Sequence, residues 1–390
     1  MSLATKRNGW RDGKLSDLVV FQRGYDITVA QQKPGPYPVI SSSGVTSYHD
    51  EFKADGPGVV IGRKGTLGSI HFAEGSYWPH DTTLWSRDLK GNNARFVYYF
   101  LHTVDLKRFD VGNSNPTLNR NHIHDLPIWL PLRPIQDQIA STLSAYDDLI
   151  ENNRRRMKLL EDAARLLYQE WFVRLRFPGH ERVRVKDSVP EGWDRKTLGD
   201  LCAEVRETVA PESVEPDTPY IGLEHIPRRS ISLTEWSNAE SVTSTKHKFL
   251  RGDILFGKIR PYFHKVGIAF TDGVASSDAI VIRPNSGDLR SFVLMTVSGD
   301  GFVSEVSQTM KEGSKMPRAD CKQMMQHTVA KPPAGLLEAF SDAITVMTDQ
   351  LRTLCFQSRR LRAARDLLLP RLMSGEVEVS SLDGGEILSV

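Results

Sequence analysis

Two long stripes of apolar residues, spaced in alternating steps of four and three, dominate the pattern of this chain. Such spacing is typical of a long helix that carries a coiled-coil seam along one side. The first stripe comprises Ile139, Leu143, Tyr146, Ile150, Met157, Leu160 and Leu167. The second lies 201 residues further on and comprises Phe340, Ile344, Met347, Leu351, Leu354, Leu361 and Leu368. Two stripes in one register indicate a tandem repeat, and we expect the two helices to bury each other.

Polar residues interrupt both stripes. Asn153 stands in the first stripe, and Ser358 and Arg365 stand in the second. Polar seam residues fix the register of two helices at a cost in stability. A helix of about 34 residues would be roughly 50 Å long, at about 1.5 Å per residue, which suits a spacer. The spacing alone leaves parallel and antiparallel packing open.

A strand-rich region precedes each stripe. Short apolar runs such as Val59–Ile61, cut by Gly and Pro, predict strands in the first 130 residues. The pair Gly9-Trp10 recurs as Gly192-Trp193, which opens a second region of the same kind. We therefore predict an α+β fold with two strand-rich domains, each followed by a long helix. The predicted segments are 1–130, 131–180, 181–330, 331–378 and a C-terminal tail at 379–390.

Composition excludes several classes of protein. The 390 residues carry a net charge of +2, and the three cysteines, Cys202, Cys321 and Cys355, form no C-x-x-C pair. This usage suits a reducing compartment and argues against a disulfide framework or a structural zinc site. No apolar stretch approaches the roughly 20 residues of a membrane span. We therefore expect a cytoplasmic protein without membrane contact.

Signatures of enzyme sites are missing from the sequence. No G-x-x-x-x-G-K-[ST] or G-x-G-x-x-G motif offers a loop for phosphates or a dinucleotide. His122 and His124 would share one face of a strand with no third metal ligand, and Asp147 is expected to be solvated on its helix. We predict neither a catalytic nor a metal site. The alternative in this class is a stand-alone nuclease or methyltransferase with an unrecognised site.

Cations and small polar residues in Gly-bounded loops are the candidate ligand-binding groups. Arg63-Lys64 follow an apolar run in the first domain, and Lys258 and Arg260 follow one in the second. Cations neutralise phosphates, whereas Arg, Lys, Ser and Asn can also read base edges. The densest basic stretch spans residues 246–265. The predicted DNA-binding residues are Ser42, Ser43, Arg63, Lys64, Thr66, Asn113, Asn115, Lys258, Arg260, Tyr262, Lys265, Ser277 and Lys315.

The ordered motifs of the two halves resemble one family. They include Leu15-Ser16-Asp17-Leu18 with its copy Leu198-Gly199-Asp200-Leu201, the turn Ile61–Gly65 with its counterpart Gly252–Pro261, and the helical segments Leu149–Asn153 and Leu367–Glu376. In this duplicated order, and over essentially its whole length, the chain is similar to the DNA specificity subunits of type I restriction–modification systems.

The resemblance implies that each strand-rich domain is a target recognition domain that reads one half of a split double-stranded DNA site. It implies that the helices form an antiparallel coiled coil, with a pseudo-two-fold axis relating the halves. The expected partners are two methylation subunits and further restriction (translocase) subunits. Adenosylmethionine, ATP and Mg would be held by those partners, and this chain would hold no cofactor. A coiled-coil adaptor without a nucleic-acid role is the second alternative.

Overall fold

The computed structural model describes residues 9–109, 117–308 and 316–379. The chain divides into two compact units. The first unit is formed by Met1–Ile150 and Arg359–Val390, and the second by Glu151–Ser358. Each unit therefore contains one strand-rich region together with a part of both long helices.

Nine strands and the helices packed on them build the described part of the first unit. The strands are β1 (Trp10–Lys14), β2 (Val20–Arg23), β3 (Tyr37–Ser41), β4 (Gly44–His49), β5 (Gly58–Gly62), β6 (Ile70–Ala73), β7 (Trp78–Pro79), β8 (Thr83–Asp88) and β9 (Pro127–Pro131). The helices that lie wholly or partly in this unit are α1 (Leu15–Leu18), α2 (Ala94–His102), α3 (Arg120–His124), α4 (Arg133–Tyr168) and α9 (Ala334–Met373).

The main sheet of the first unit has the antiparallel order β2-β8-β5-β6. A second sheet has the order β4-β3-β7, and β1 pairs with β9. Alternate side chains of a strand point to opposite faces of its sheet. Phe21, Ile61 and Leu84 accordingly enter one buried cluster with helix α2, while Val60 and Trp85 enter another.

The second unit repeats this order of elements with additions. Its strands are β10 (Val185–Lys186), β11 (Val189–Pro190), β12 (Asp194–Thr197), β13 (Cys202–Val205), β14 (Thr208–Val209), β15 (Pro219–Ile221), β16 (Ser232–Leu233), β17 (Ser237–Asn238), β18 (Lys246–Phe249), β19 (Ile254–Gly257), β20 (Val266–Ala269), β21 (Gly273–Ala275), β22 (Ala279–Pro284) and β23 (Thr328–Lys331). Its shorter helices are α5 (Leu198–Leu201), α6 (Leu289–Val297), α7 (Asp300–Gln308) and α8 (Cys321–Met324).

The sheets of the second unit match those of the first in topology. One sheet has the order β13-β22-β19-β20-β16, in which the first four strands follow the arrangement of β2-β8-β5-β6. The other has the order β14-β18-β21-β15-β17, and β12 pairs with β23 as β1 pairs with β9. The hairpin β10-β11 is an addition of this unit. The largest buried cluster joins the first sheet to α6, α7 and parts of both long helices.

Segments of the two long helices run antiparallel within each unit. In the first unit Leu143 of α4 and Leu372 of α9 share a buried cluster. In the second unit the Asn153 side-chain amide donates to the Ser358 hydroxyl at 3.3 Å, and the rings of Tyr168 and Phe340 are 6.2 Å apart. Earlier residues of one helix therefore meet later residues of the other.

The predicted seam residues are all at least half-buried. The fully buried ones are Ile139, Leu143, Tyr146, Phe340, Ile344, Leu351 and Leu354. The half-buried ones are Ile150, Met157, Leu160, Leu167, Met347, Leu361 and Leu368. No helix in the described ranges is long and apolar enough to cross a membrane.

Two local expectations were wrong. Asp147 is not a solvated helix residue, because its carboxylate accepts hydrogen bonds from the Tyr99 hydroxyl and the Arg365 guanidinium, both at 2.5 Å. His122 and His124 lie on the short helix α3 and not on a strand, because the Asn119 side chain caps the backbone there. His124 is occupied structurally, since its Nε2 accepts a hydrogen bond from the Phe21 amide at 3.0 Å.

Candidate nucleic-acid interface

Arg63 is fixed by the main chain at the end of β5. Its amide donates to the Thr82 carbonyl at 2.8 Å, and its carbonyl accepts from the Leu118 amide at 3.0 Å. The next residue, Lys64, forms an isolated β-bridge with Thr117. These bonds place Arg63 between the start of β8 and the segment that leads into α3.

Lys258 is held in the same way at the end of β19. Its amide donates to the Asp278 carbonyl at 2.7 Å, and its carbonyl accepts from the Ala319 amide at 2.8 Å. The next residue, Ile259, forms an isolated bridge with Arg318. Arg63 and Lys258 therefore occupy the same place in the two units, and each puts a cation at that strand end.

The loop between β3 and β4, which contains Ser42 and Ser43, lies beside the turn that carries Arg63. The Ser69 hydroxyl donates to the Ser42 carbonyl at 2.5 Å, and the Ser42 amide donates to the Thr82 hydroxyl at 3.3 Å. A Cβ on Gly62 would lie 2.2 Å from the Thr66 carbonyl oxygen, so the turn closes only on glycine. Of the predicted residues here, Ser43 and Thr66 are exposed, Lys64 is half-buried and Ser42 is buried.

The Arg63 guanidinium lies in a partly buried, positively charged environment. Burial lowers the pKa of Arg63, the nearby Arg23 lowers it further, and Asp81 opposes both effects. Arg23 itself pairs with Asp81 at 2.9 Å. The Arg63 Nη1 atom is buried without a hydrogen-bond partner. An arginine stays charged in such a site, so part of its hydrogen-bonding capacity is left for a ligand.

A strained loop presents the aromatic and basic residues of the second unit. Arg260 and His264 both adopt left-handed backbone angles, with φ of 50° and 54°, on either side of the turn Pro261–Phe263. Such angles are costly outside glycine and persist where the surroundings impose them. The His264 side chain is anchored by the Ser298 carbonyl at 2.8 Å. Tyr262 is left 51% exposed at the loop tip.

Arg228, which no sequence motif pointed to, contacts this loop from a separate segment. Its guanidinium carbon lies 4.0 Å from the centre of the Phe263 ring, and Arg260 lies over the same ring at 5.9 Å. Lys265, by contrast, turns inward and donates from Nζ to the Leu223 carbonyl at 2.5 Å. Burial and then Arg228 lower the pKa of Lys265.

The basic stretch 246–265 does not act as one surface. Lys246 is buried and donates from Nζ to the Ser244 hydroxyl at 2.7 Å, and Lys248 pairs with Glu207 at 3.0 Å. Of the predicted cations in this stretch, Lys258 and Arg260 are the ones left for a ligand. Ser277 is exposed on the turn before β22. The remaining predicted residues, Asn113, Asn115 and Lys315, lie outside the described residues.

One group of possible metal ligands lies near Arg23. Ligand atoms of Asp26, His80 and Asp81 are within 4.8 Å of one another. Asp81 is already bound to Arg23, and the His80 Nδ1 atom is 3.0 Å from the Thr82 hydroxyl. Asp81 and His80 thus contact Arg23 and Thr82 at the start of β8.

Comparison with known proteins identifies relatives of this architecture. Residues 7–162 match the family described as the type I restriction modification DNA specificity domain. The MjaIX type I restriction enzyme specificity subunit of Methanocaldococcus jannaschii is 23% identical over 306 residues, which cover 74% of this chain and 70% of the relative. The EcoDI specificity subunit of Escherichia coli is 22% identical over 351 residues, covering 83% and 78%.

A solved structure agrees with these relatives. The crystal structure of the S subunit of a type I restriction–modification system from M. genitalium superposes with a TM-score of 0.63 at 15% identity, over 96% of this chain and 98% of that chain. The two proteins therefore share a fold. The specificity domain matches residues 7–162, and the two relatives match most of the sequence, so the chain is similar over most of its length to the specificity subunits of type I restriction–modification systems.

Proposed function

We propose that this chain binds a bipartite site in double-stranded DNA, with one target recognition domain for each half-site, and contributes no catalytic residue. The observation that carries this proposal is the recurrence of one strand-end position, occupied by Arg63 in the first unit and Lys258 in the second. Both cations stand beside polar loops, a combination that suits contacts to phosphates and base edges. Because this position occurs once in each unit, each unit can offer one such contact surface to its half-site.

The long helices supply the spacing in this proposal. They form an antiparallel coiled coil that sets the number of unread base pairs between the half-sites. The antiparallel contacts Asn153–Ser358 and Asp147–Arg365 support this arrangement. Helix α4 has 36 residues, roughly 54 Å at about 1.5 Å per residue. That length suits a separation of about one to one and a half turns of duplex DNA.

The partners in this proposal are two methylation subunits and further restriction subunits. They would supply adenosylmethionine, ATP and Mg, while this chain supplies recognition and a scaffold. The relatives support this division, because both are specificity subunits of type I restriction enzymes.

Methylation mapping tests the proposal directly. The chain is co-expressed with the methylation subunit of its own system, and modified bases are mapped across the host chromosome. A new methylated motif divided by a fixed gap is expected. A continuous motif would mean that only one domain reads DNA. An intact complex that methylates nothing would favour the adaptor alternative, and modification or cleavage by the purified chain alone would favour the stand-alone enzyme.

A further inference from the structure

The strand ends that carry Arg63 and Lys258 each have a second cation in the neighbouring strand. In the first unit Arg23 is the last residue of β2 and pairs with Leu84 of β8, while Ile61 of β5 pairs with the same Leu84. Arg63 lies two residues beyond Ile61. Because side chains alternate along a strand, Arg23 and Arg63 stand on the same face at one edge of the sheet.

The second unit has the same arrangement in a different set of residues. Val205 of β13 pairs with Val281, so that Arg206 lies level with Ile280. Phe256 of β19 pairs with Ile280, and Lys258 lies two residues beyond Phe256. Arg206 and Lys258 therefore stand on one face of this sheet, in the positions that Arg23 and Arg63 hold in the other.

In each of these two pairs of cations, one cation binds a nearby acid, whereas the other forms no ion pair with the described residues. Arg23 is bound to Asp81 at 2.9 Å, and Arg206 is bound to Glu204 at 2.6 Å. Neither Arg63 nor Lys258 forms an ion pair with the residues that the structure describes. The outer members remain accessible, with the Arg23 side chain 55% exposed and the Arg206 side chain 66% exposed.

We infer that the first cation pair (Arg23, Arg63) and the second cation pair (Arg206, Lys258) each hold a DNA backbone phosphate, and that they position the half-sites without reading them. This inference rests on the proposed function. The two pairs share a main-chain framework, whereas the loops around them differ in length and sequence. A contact common to both domains suits the part of DNA that is common to any two half-sites, which is the sugar–phosphate backbone.

The inference assigns base reading to the side chains that differ between the domains. Arg260 and Tyr262 belong to a loop that follows Lys258, whereas Gly65 and Thr66 follow the equivalent Arg63. Differences of this kind are needed where two domains read different bases. The cation pairs set the register of the duplex, and the loops then meet the base edges.

The test measures DNA binding by the complex with methylation subunits. The variants are Arg23→Gln with Arg63→Gln, and Arg206→Gln with Lys258→Gln. An exposed pair on β1 and β12, Arg11→Gln with Lys196→Gln, is the charge-matched control. Each complex is titrated with a duplex that carries the mapped site and with a scrambled duplex, at several salt concentrations. Thermal unfolding of each variant verifies that the chain is folded.

Either cation-pair variant is expected to weaken binding to both duplexes by the same factor. The slope of log affinity against log salt should become shallower by about 0.9 for each phosphate that the variant no longer neutralises. The methylated motif should stay unchanged. A motif relaxed at one base pair would overturn the inference, as would affinity and slope equal to those of the control. If the unaltered complex showed no preference for any split site, the proposed function itself would fail.

Discussion

Asp147 shows how one side chain joins three elements of the first unit. Its carboxylate binds Tyr99 of α2 and Arg365 of α9, and it lies on α4. Asp147 and Arg365 are only about a quarter exposed, so removal of one partner leaves a poorly solvated charge. Adjacent acids on a helix normally face solvent, and the sequence contained no sign that an arginine 218 residues away would meet this one.

Replacing that arginine should destabilise the protein. Arg365→Met leaves Asp147 with the Tyr99 hydroxyl alone, and we expect a decrease of about 1–3 kcal/mol in the free energy of unfolding, measured by urea denaturation. Arg371→Met is the control on the same helix, because the Arg371–Glu376 pair is exposed and should contribute less than about 1 kcal/mol. Equal decreases in the two variants would contradict a special role for Asp147.

The buried thiols of two cysteines predict that the protein loses stability at high pH. Burial raises the pKa of Cys202 and Cys321 to about 12, from an ordinary value of 9.0. Above pH 9 the unfolded chain therefore releases thiol protons that the folded chain retains, so stability falls as pH rises from about 9 towards about 12. Urea denaturation of the double variant Cys202→Ala, Cys321→Ala should show a smaller fall in stability over that range than the original chain. Parallel pH profiles would refute this assignment.

The candidate DNA contacts show which residues sequence alone can find. The placement of Arg63 and Lys258 at strand ends was predictable, because each follows an apolar run and lies next to a glycine. Lys246 and Lys265 have the same local charge density, but they fold inward onto Ser244 and Leu223. Arg228 is identified only by the Phe263 ring against which it lies. Such contacts depend on tertiary packing, which a charge count along the chain does not encode.

The long helices are the elements that sequence predicted best. Their apolar spacing predicted which side of α4 and of α9 is buried, because the buried face of a helix follows the period of its apolar positions. The end of α4 was less accurate. The sequence predicted a long helix in the segment 131–180, whereas the regular helix ends at Tyr168 and a π-helical turn covers Gln169–Val173. A π-helical turn contains more residues than an α-helical turn, so it shifts the side chains that follow to another face. The alternating steps of four and three do not reveal this shift.

Adjacent leucines on α4 provide a sharp test of the seam. Leu160 packs against the main buried cluster of the second unit, whereas Leu159 is 69% exposed. Leu160→Asp places a charge among apolar side chains and should cost about 2 kcal/mol or more in unfolding free energy. Leu159→Asp should change it by less than about 0.5 kcal/mol. A similar cost for both would show that the seam face is wrongly assigned.

If the long helices act as the spacer, lengthening both of them should widen the gap in the methylated DNA motif. Insertion of seven residues of helix-forming sequence after Ile150 and again after Ser358, the boundaries between the units, keeps the apolar register of both helices. Each insertion lengthens its helix by about 10 Å, which corresponds to about three base pairs. Methylation mapping should find the same two half-sites separated by a wider gap. Unchanged spacing in an active complex would rule out the helices as the ruler.

The spacing between equivalent positions of the two units is not constant along the chain. The offset is 183 residues for Arg23 and Arg206, 195 for Arg63 and Lys258, and 201 for Thr117 and Arg318. The second unit is thus longer than the first between these positions, while the main-chain hydrogen bonds at Arg63 and Lys258 are equivalent. Under the proposed function, the intervening loops can therefore be exchanged or lengthened by recombination while the DNA contacts at the fixed positions are retained. In this architecture the hydrogen-bonded framework and the loops can change independently of each other.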